Sequence, residues 1–153
     1  MSLAIKIVRT DSRDPDFAGL VRMLDADLAE RDGKDHSFYA RYNKIENIGH
    51  VVLAYVDDTP AGCGAVKQFE PGTMEVKRMY VTPAERKRGI ASRVLSELES
   101  WARELSCTRC VLETGRRQPE AIGLYRKCGY TPIPNYGQYV GMENSVCFEK
   151  EIA

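Results

Sequence analysis

The chain has 153 residues, 43% of them hydrophobic and 29% charged, which fits one soluble globular domain spanning 1–153 with a real core. Its 22 basic residues balance 22 acidic ones, so neither nucleic acid nor an anionic membrane is expected as a partner. No apolar run approaches the roughly 18–20 residues needed to cross a bilayer, and the first ten residues alternate too strongly for a secretion signal.

Ala4 to Arg9 alternates and predicts a first strand. Asp14-Pro15 starts a helix carrying Phe17, Leu20, Val21, Leu24 and Leu28 on one face. The polar stretch ERDGKDHSFYARYNKIENIGH, with Phe38, Tyr39 and Tyr42 as apolar islands, reads as a loop and a short helix and is a candidate substrate-facing segment. His50 to Val56 and Ala61 to Phe69 are two strands around a turn at Asp57-Asp58-Thr59-Pro60. After Pro71-Gly72 comes a strand from Thr73 to Val81. Ile90, Val94, Leu95, Leu98, Trp101 and Leu105 fall at helical spacing. Arg109 to Glu113 is a strand. Pro119 to Lys127 is a helix, with proline suited to its first position and Gly129 to its C-terminal cap. Tyr130 to Ile133 and Ser145 to Glu151 are late strands. The order βα(α)βββαβαββ gives an α/β (α+β) fold: a mixed, mostly antiparallel sheet of six to seven strands flanked by helices.

The five cysteines, Cys63, Cys107, Cys110, Cys128 and Cys147, are scattered and odd in number. Without a secretion signal they read as reduced thiols of a cytoplasmic protein. Cys107 and Cys110 have C-x-x-C spacing, but neither a second metal-binding pair nor a helix start follows, so no metal is expected. The two histidines, His36 and His50, have no partner at motif spacing and read as solvated or capping residues.

Between the Thr73–Val81 strand and the following helix lies TPAERKRGIA. A helix start exposes backbone N–H groups with no internal partner, and these, with the helix dipole, favour an anion. Gly89 removes a side chain where an anion would approach, while Arg86, Lys87 and Arg88 surround it with positive charge. A phosphorylated ligand fits this loop; so, on spacing alone, does a solvated basic turn. Neither the Walker pattern nor the dinucleotide fingerprint is present.

The loop reads Arg86-Lys87-Arg88-Gly89-Ile90-Ala91 against a family pattern Arg/Gln-x-x-Gly-x-Gly/Ala. The later run from Gln118 through Ala121 and Tyr125 to Gly129-Tyr130 reads against Asn-x-x-Ala-x-x-x-Tyr-x-x-x-Gly-Phe. With the strands and helices around them, these segments resemble the GNAT family of N-acetyltransferases, tightly from about Glu75 to Ile133 and by topology over nearly the whole chain. The resemblance implies the GNAT acyl-CoA N-acyltransferase fold and acetyl-CoA as cosubstrate, with no metal. The pyrophosphate would lie on Arg86, Lys87, Arg88, Gly89, Ile90, Ala91 and Ser92. The pantetheine arm would run beside Met79, Tyr80 and Val81, where the family's strand bulges and splays from its neighbour. A backbone N–H near Tyr80 or Val81 would polarise the thioester carbonyl.

By the same resemblance Tyr125 would serve as the acid for the leaving thiolate and would also touch the cofactor. Glu75 stands where some members keep a general base; Glu113 is the second candidate, and ordered water is the alternative to both. Gln118 replaces the family's Asn, and a shifted cofactor contact is expected there because Gln caps a helix poorly. Tyr130 replaces Phe. Cys128 does not match a nucleophile, so direct transfer to the amine in a ternary complex is expected. Asn135, Tyr136 and Tyr139 cluster before the last strand and suit an acceptor pocket. The implied partner is a small-molecule amine or amino acid, and a homodimer is possible at family level. The alternatives are a protein or peptide amine as acceptor, a non-enzymatic acyl-CoA sensor on the same fold, and a nucleotide-phosphate binder.

Overall fold

A computed structural model describes residues 4–33 and 47–153. Most of the polar stretch expected to face substrate, including His36, Phe38, Tyr39 and Tyr42, lies outside the described residues. Strand β1 is Ile5–Thr10 and helix α1 is Pro15–Asp32. Asp14 caps α1, its side chain accepting from the Asp16 N–H at 2.9 Å, and Pro15 sits where a missing N–H costs nothing. Strands β2, Val51–Val56, and β3, Thr59–Glu70, form a hairpin. The turn is shorter than expected. Asp57 and Asp58 alone make it, at φ 48° and 69°, the two positive angles a two-residue hairpin loop needs.

Strand β4 is Thr73–Val81, helix α2 is Ile90–Glu104 and strand β5 is Arg109–Gly115. Helix α3 is Pro119–Lys127, and strands β6, Thr131–Ile133, and β7, Ser145–Glu151, complete the order. Strand β6 starts one residue later than expected because Tyr130 closes α3: its N–H donates to Tyr125 O at 2.9 Å, while the Gly129 N–H donates to Arg126 O. The Tyr130 hydroxyl donates to Glu99 of α2 at 2.9 Å, and Glu99 also takes Lys150 of β7 at 2.9 Å. A phenylalanine at 130 would leave that buried carboxylate with one partner fewer.

The seven strands lie in the order β1-β2-β3-β4-β5-β7-β6. Every neighbouring pair is antiparallel except β4 and β5, so the mixed, mostly antiparallel sheet read from the sequence is the one observed. Helices cover both faces. On one, Phe17, Leu20, Val21 and Leu24 of α1 pack on Val51, Leu53, Ala65 and Tyr80. On the other, Ile90, Val94, Leu95 and Leu98 of α2 and Tyr125 of α3 pack with Val52, Val76, Leu112 and Phe148.

One irregularity in β4 positions the site. Cys63 pairs with Tyr80 and Ala65 with Lys77, so Arg78 and Met79 together oppose Gly64. Arg78 takes φ 61°, and the extra residue makes a bulge. The bulge exchanges the faces of the strand: Met74 and Val76 point towards α2, whereas beyond it Tyr80 points towards α1 and Met79 and Val81 towards α2. Gly64 is required opposite it. A Cβ there would stand 2.5 Å from Met79 Sδ, 2.8 Å from Leu98 Cδ1 and 3.0 Å from Val94 Cγ1.

Candidate active site

Strands β4 and β5 pair only at Thr73, Met74 and Glu75 against Arg109, Cys110 and Val111. Beyond Glu75 they part, and a cleft opens between Val76–Met79 on one wall and Glu113–Gly115 on the other. Leu24 and Leu28 of α1 border one side, and Gln118, Ala121 and Tyr125 of α3 the other. The backbone of β4 is available to this cleft. The Thr82 N–H donates to Ala61 O at 2.8 Å, so the alternation of the ladder turns Tyr80 towards β3 and Val81 away from it.

Of the residues singled out in the sequence, Glu75, Met79, Gln118 and Tyr125 line the cleft, together with Glu113 and Tyr139. Glu75 is held in place: its Oε2 accepts from the Tyr136 hydroxyl at 2.6 Å, and its Oε1 stands 4.0 Å from Lys77 Nζ. Tyr125 is 6% exposed, with its ring edge-on to Tyr130 at 5.9 Å and beside Phe148 at 6.2 Å. Burial, and then the negative charge of Glu113, push its phenol well above the usual tyrosine value. The Tyr139 phenol is raised for the same reasons, with Glu75 adding to Glu113. Gln118 occupies the N-cap of α3 without a side-chain capping bond, and it lines the cleft.

Tyr80, Val81 and the basic loop from Arg86 to Ser92 are not among the lining residues; the loop follows the end of β4 and leads into α2. Gly89 takes φ 77° and ψ 10° at the N-cap of α2, no side chain caps the helix, and no acidic residue lies in its first turn. Nothing lies within 4 Å of where a Gly89 Cβ would be. The first N–H groups of α2, at Ile90, Ala91 and Ser92, are therefore open to an anion, and the glycine supplies a left-handed angle that other residues adopt at a cost. Lys87 also has positive φ, 67°. Lys87 and Arg88 are exposed, and Arg88 Nη1 lies 3.1 Å from Glu85. Arg86 is turned back instead: its Nε donates to Val81 O at 2.9 Å and its guanidinium lies 5.6 Å above the Tyr80 ring. This fit is what a diphosphate followed by an extended arm needs: uncapped amides at one end and an open strand edge at the other.

Other sequence candidates are placed elsewhere. Asn135 donates to the carbonyls of Tyr139 and Met142, each at 3.1 Å, and so shapes the loop before β7. His50 packs edge-on to Trp101 at 4.7 Å. All five cysteines are free; Cys63 and Cys110 are pushed up to about 12 and Cys147 to about 11, chiefly by burial. Among the described residues no group of three or more His, Cys, Asp or Glu stands together as a metal site, and no helix is long and apolar enough to cross a membrane.

Sequence reasoning passed over Arg78 and Asn144, which also line the cleft. Arg78 left a readable signal. In Thr73–Val81 the even positions Met74, Val76 and Tyr80 are buried and apolar, and an arginine falls in that series. Asn144 had none, because its place depends on how the loop before β7 closes against Gly115.

A family model described as Acetyltransferase (GNAT) family matches residues 17–130. An IAA acetyltransferase from Azospirillum brasilense is 39% identical over 102 residues, covering 66% of this chain and 67% of that protein. The solved structure of a Klebsiella pneumoniae protein assigned as an acyl-CoA N-acyltransferase superposes with a TM-score of 0.81 at 27% identity, covering 97% of this chain and 98% of that one. The PaiA N-acetyltransferase of Thermoplasma acidophilum, solved in complex with coenzyme A, shares the fold with a TM-score of 0.67 at 17% identity, over 97% and 99% of the two chains.

Proposed function

The chain belongs to the GNAT acetyltransferase family and is an acetyl-CoA-dependent N-acyltransferase; on that premise we propose that it passes the acetyl group directly to a small primary amine within the β4–β5 cleft. The observation that carries this reading is the splay after Glu75, which puts an open strand edge, a buried phenol and two carboxylates around one cavity. In our reading the α2 N-terminus and the Gly89 turn hold the diphosphate, with Lys87 and Arg88 adding charge from outside. The arm pairs with the outward-facing C=O of Val81, which asks Arg86 to release that carbonyl. The Val81 N–H is then the donor placed to polarise the thioester carbonyl.

Between heavy atoms the chemistry forms one bond and breaks one. The amine nitrogen bonds the acetyl carbon and the carbon–sulfur bond breaks; an ammonium acceptor gives up two protons, one before attack and one from the bonded nitrogen, and the sulfur leaves as a thiolate that takes up one proton from solvent to become the thiol. Tyr125 is the donor to that sulfur. Its raised phenol refines the role: a thiol ionises at roughly 8.5–9, so full transfer from this phenol to a thiolate is uphill. Its contribution is a hydrogen bond to sulfur as charge develops, given by a group that stays protonated across the neutral range. Glu75, fixed by Tyr136, is the carboxylate placed to take the ammonium proton directly or through water, with Glu113 opposite. The five free cysteines, four of them buried, suit the reducing cytoplasm, where the enzyme would meet its acetyl donor.

The test is thiol release from acetyl-CoA across a panel of small primary amines, with product mass reporting a gain of one acetyl group. Stabilisation by acetyl-CoA without release on any amine would instead make the protein a sensor of acyl-CoA.

A further inference from the structure

Arg78 stands in the bulge of β4 with 3% of its side chain exposed. Its Nη1 donates to Asp25 Oδ1 of α1 at 2.7 Å, and its Nη2 is buried without a hydrogen-bond partner. A buried guanidinium nitrogen left unpaired is costly, and an arginine cannot shed its proton to escape the cost. Asp25 offsets only part of the charge, because its own side chain is 46% exposed and shared with solvent. Across the cleft the Nδ2 of buried Asn144 is unpartnered as well. The buried side-chain atoms without a partner on this lining are thus both donors, so a ligand that completes the cleft brings acceptors. At Arg78 it brings negative charge. Glu75 and Glu113, on the same lining, present the opposite sign.

A molecule bearing both an ammonium and a carboxylate matches these two poles. The coenzyme does not: its charge is confined to phosphates, for which the α2 N-terminus is built at the other end, and it has no carboxylate. Arg78 also faces the α1 side, through Asp25, rather than the phosphate loop. We propose that the acceptor is an amino carboxylate, a small molecule whose free carboxylate lies close to the amine that is acetylated, and that Arg78 Nη2 receives this carboxylate. This rests on the small-amine reading above and narrows it to a substrate class. A planar guanidinium already fixed by Asp25 on one nitrogen presents the other at a set angle, so the carboxylate orients the amine towards Glu75 and Glu113.

The experiment compares matched acceptors on the wild-type enzyme: amino acids, their carboxamides and their decarboxylated amines, read by thiol release. The acids are expected to have kcat/KM roughly 10–100-fold above their amides and amines. Arg78→Gln is then expected to raise KM for the acids by a similar factor, leave KM for acetyl-CoA within about twofold, and leave the amides almost unaffected. Equal turnover of acids and decarboxylated amines overturns the inference and leaves the small-amine reading standing. A large rise in the KM for acetyl-CoA overturns it too, by assigning Arg78 to the coenzyme. No turnover in either set, by an enzyme that acetyl-CoA still stabilises, overturns the small-amine reading and this inference with it. Should Arg78→Gln, which removes the partner of Asp25, fail to fold, the wild-type comparison alone decides between the outcomes.

Discussion

Replacing Tyr125 by phenylalanine removes one oxygen and little else. The ring stays 5.9 Å from Tyr130 and 6.2 Å from Phe148, in a site 6% exposed, so packing is retained and Tm is expected within about 3 °C of wild type. In the role proposed for it, what is lost is a donor in a desolvated cleft that acts where charge builds on sulfur. Such a bond is worth about 2–3 kcal/mol, which translates to a ~30- to 160-fold fall in kcat. KM for acetyl-CoA should change little, because the donor acts on the developing thiolate more than on the bound thioester. The raised phenol adds a pH signature: as it stays protonated well above the ordinary tyrosine range, the wild-type rate should show no alkaline loss traceable to Tyr125 below about pH 10. Steady-state kinetics by thiol release, from pH 6 to 10, measures both. A Tyr125→Phe enzyme within threefold of wild type, or an alkaline limb near pH 9 that vanishes in the variant, refutes the assigned role.

Gly64→Ala is expected to destabilise by about 1–3 kcal/mol, because its methyl would meet Met79, Leu98 and Val94 and press on the bulge; chemical denaturation checks this. Gly89→Ala has free space for its Cβ but must hold φ 77°; a loss of about 1–2 kcal/mol and a several-fold rise in KM for acetyl-CoA are expected, with kcat retained. The thiols set an alkaline limit. Cys63, Cys110 and Cys147 have folded values raised to about 12, about 12 and about 11, so the stability they contribute is whole below the unfolded thiol value near 8.5 and is lost as pH rises through the folded values. Tm should therefore fall from about pH 9 upward, and a less steep fall in Cys63→Ala is the check.

Where local chemistry decided the structure, the sequence was legible. Pro119 at a helix start and Gly129 at its end follow from what proline and glycine do to a backbone, and the helix they bound falls where expected. The cleft was legible only through family resemblance, because nothing in EVKRMYV announces which neighbour it abandons. The bulge explains the rest. One extra residue in β4 exchanges the strand's faces, so Arg78, an arginine within a buried series, turns to the α1 side and meets Asp25. Tyr136 and Asn135, which looked alike in the tail, part company for the same kind of reason. The loop before β7 consumes the amide of one and aims the hydroxyl of the other at Glu75.

The three residue pairs that join β4 to β5 make a mechanical seam. On one side stand four strands, on the other three, and past Glu75 no ladder bonds cross between β4 and β5. A bound pantetheine arm would lie along that gap as a strand lies in a sheet, exchanging hydrogen bonds with backbone that β5 leaves unpaired. The coenzyme would then act as a temporary structural member. Amide hydrogen exchange should slow at Val81 when it binds and quicken when the product leaves, so each turnover would close and reopen the sheet along one line.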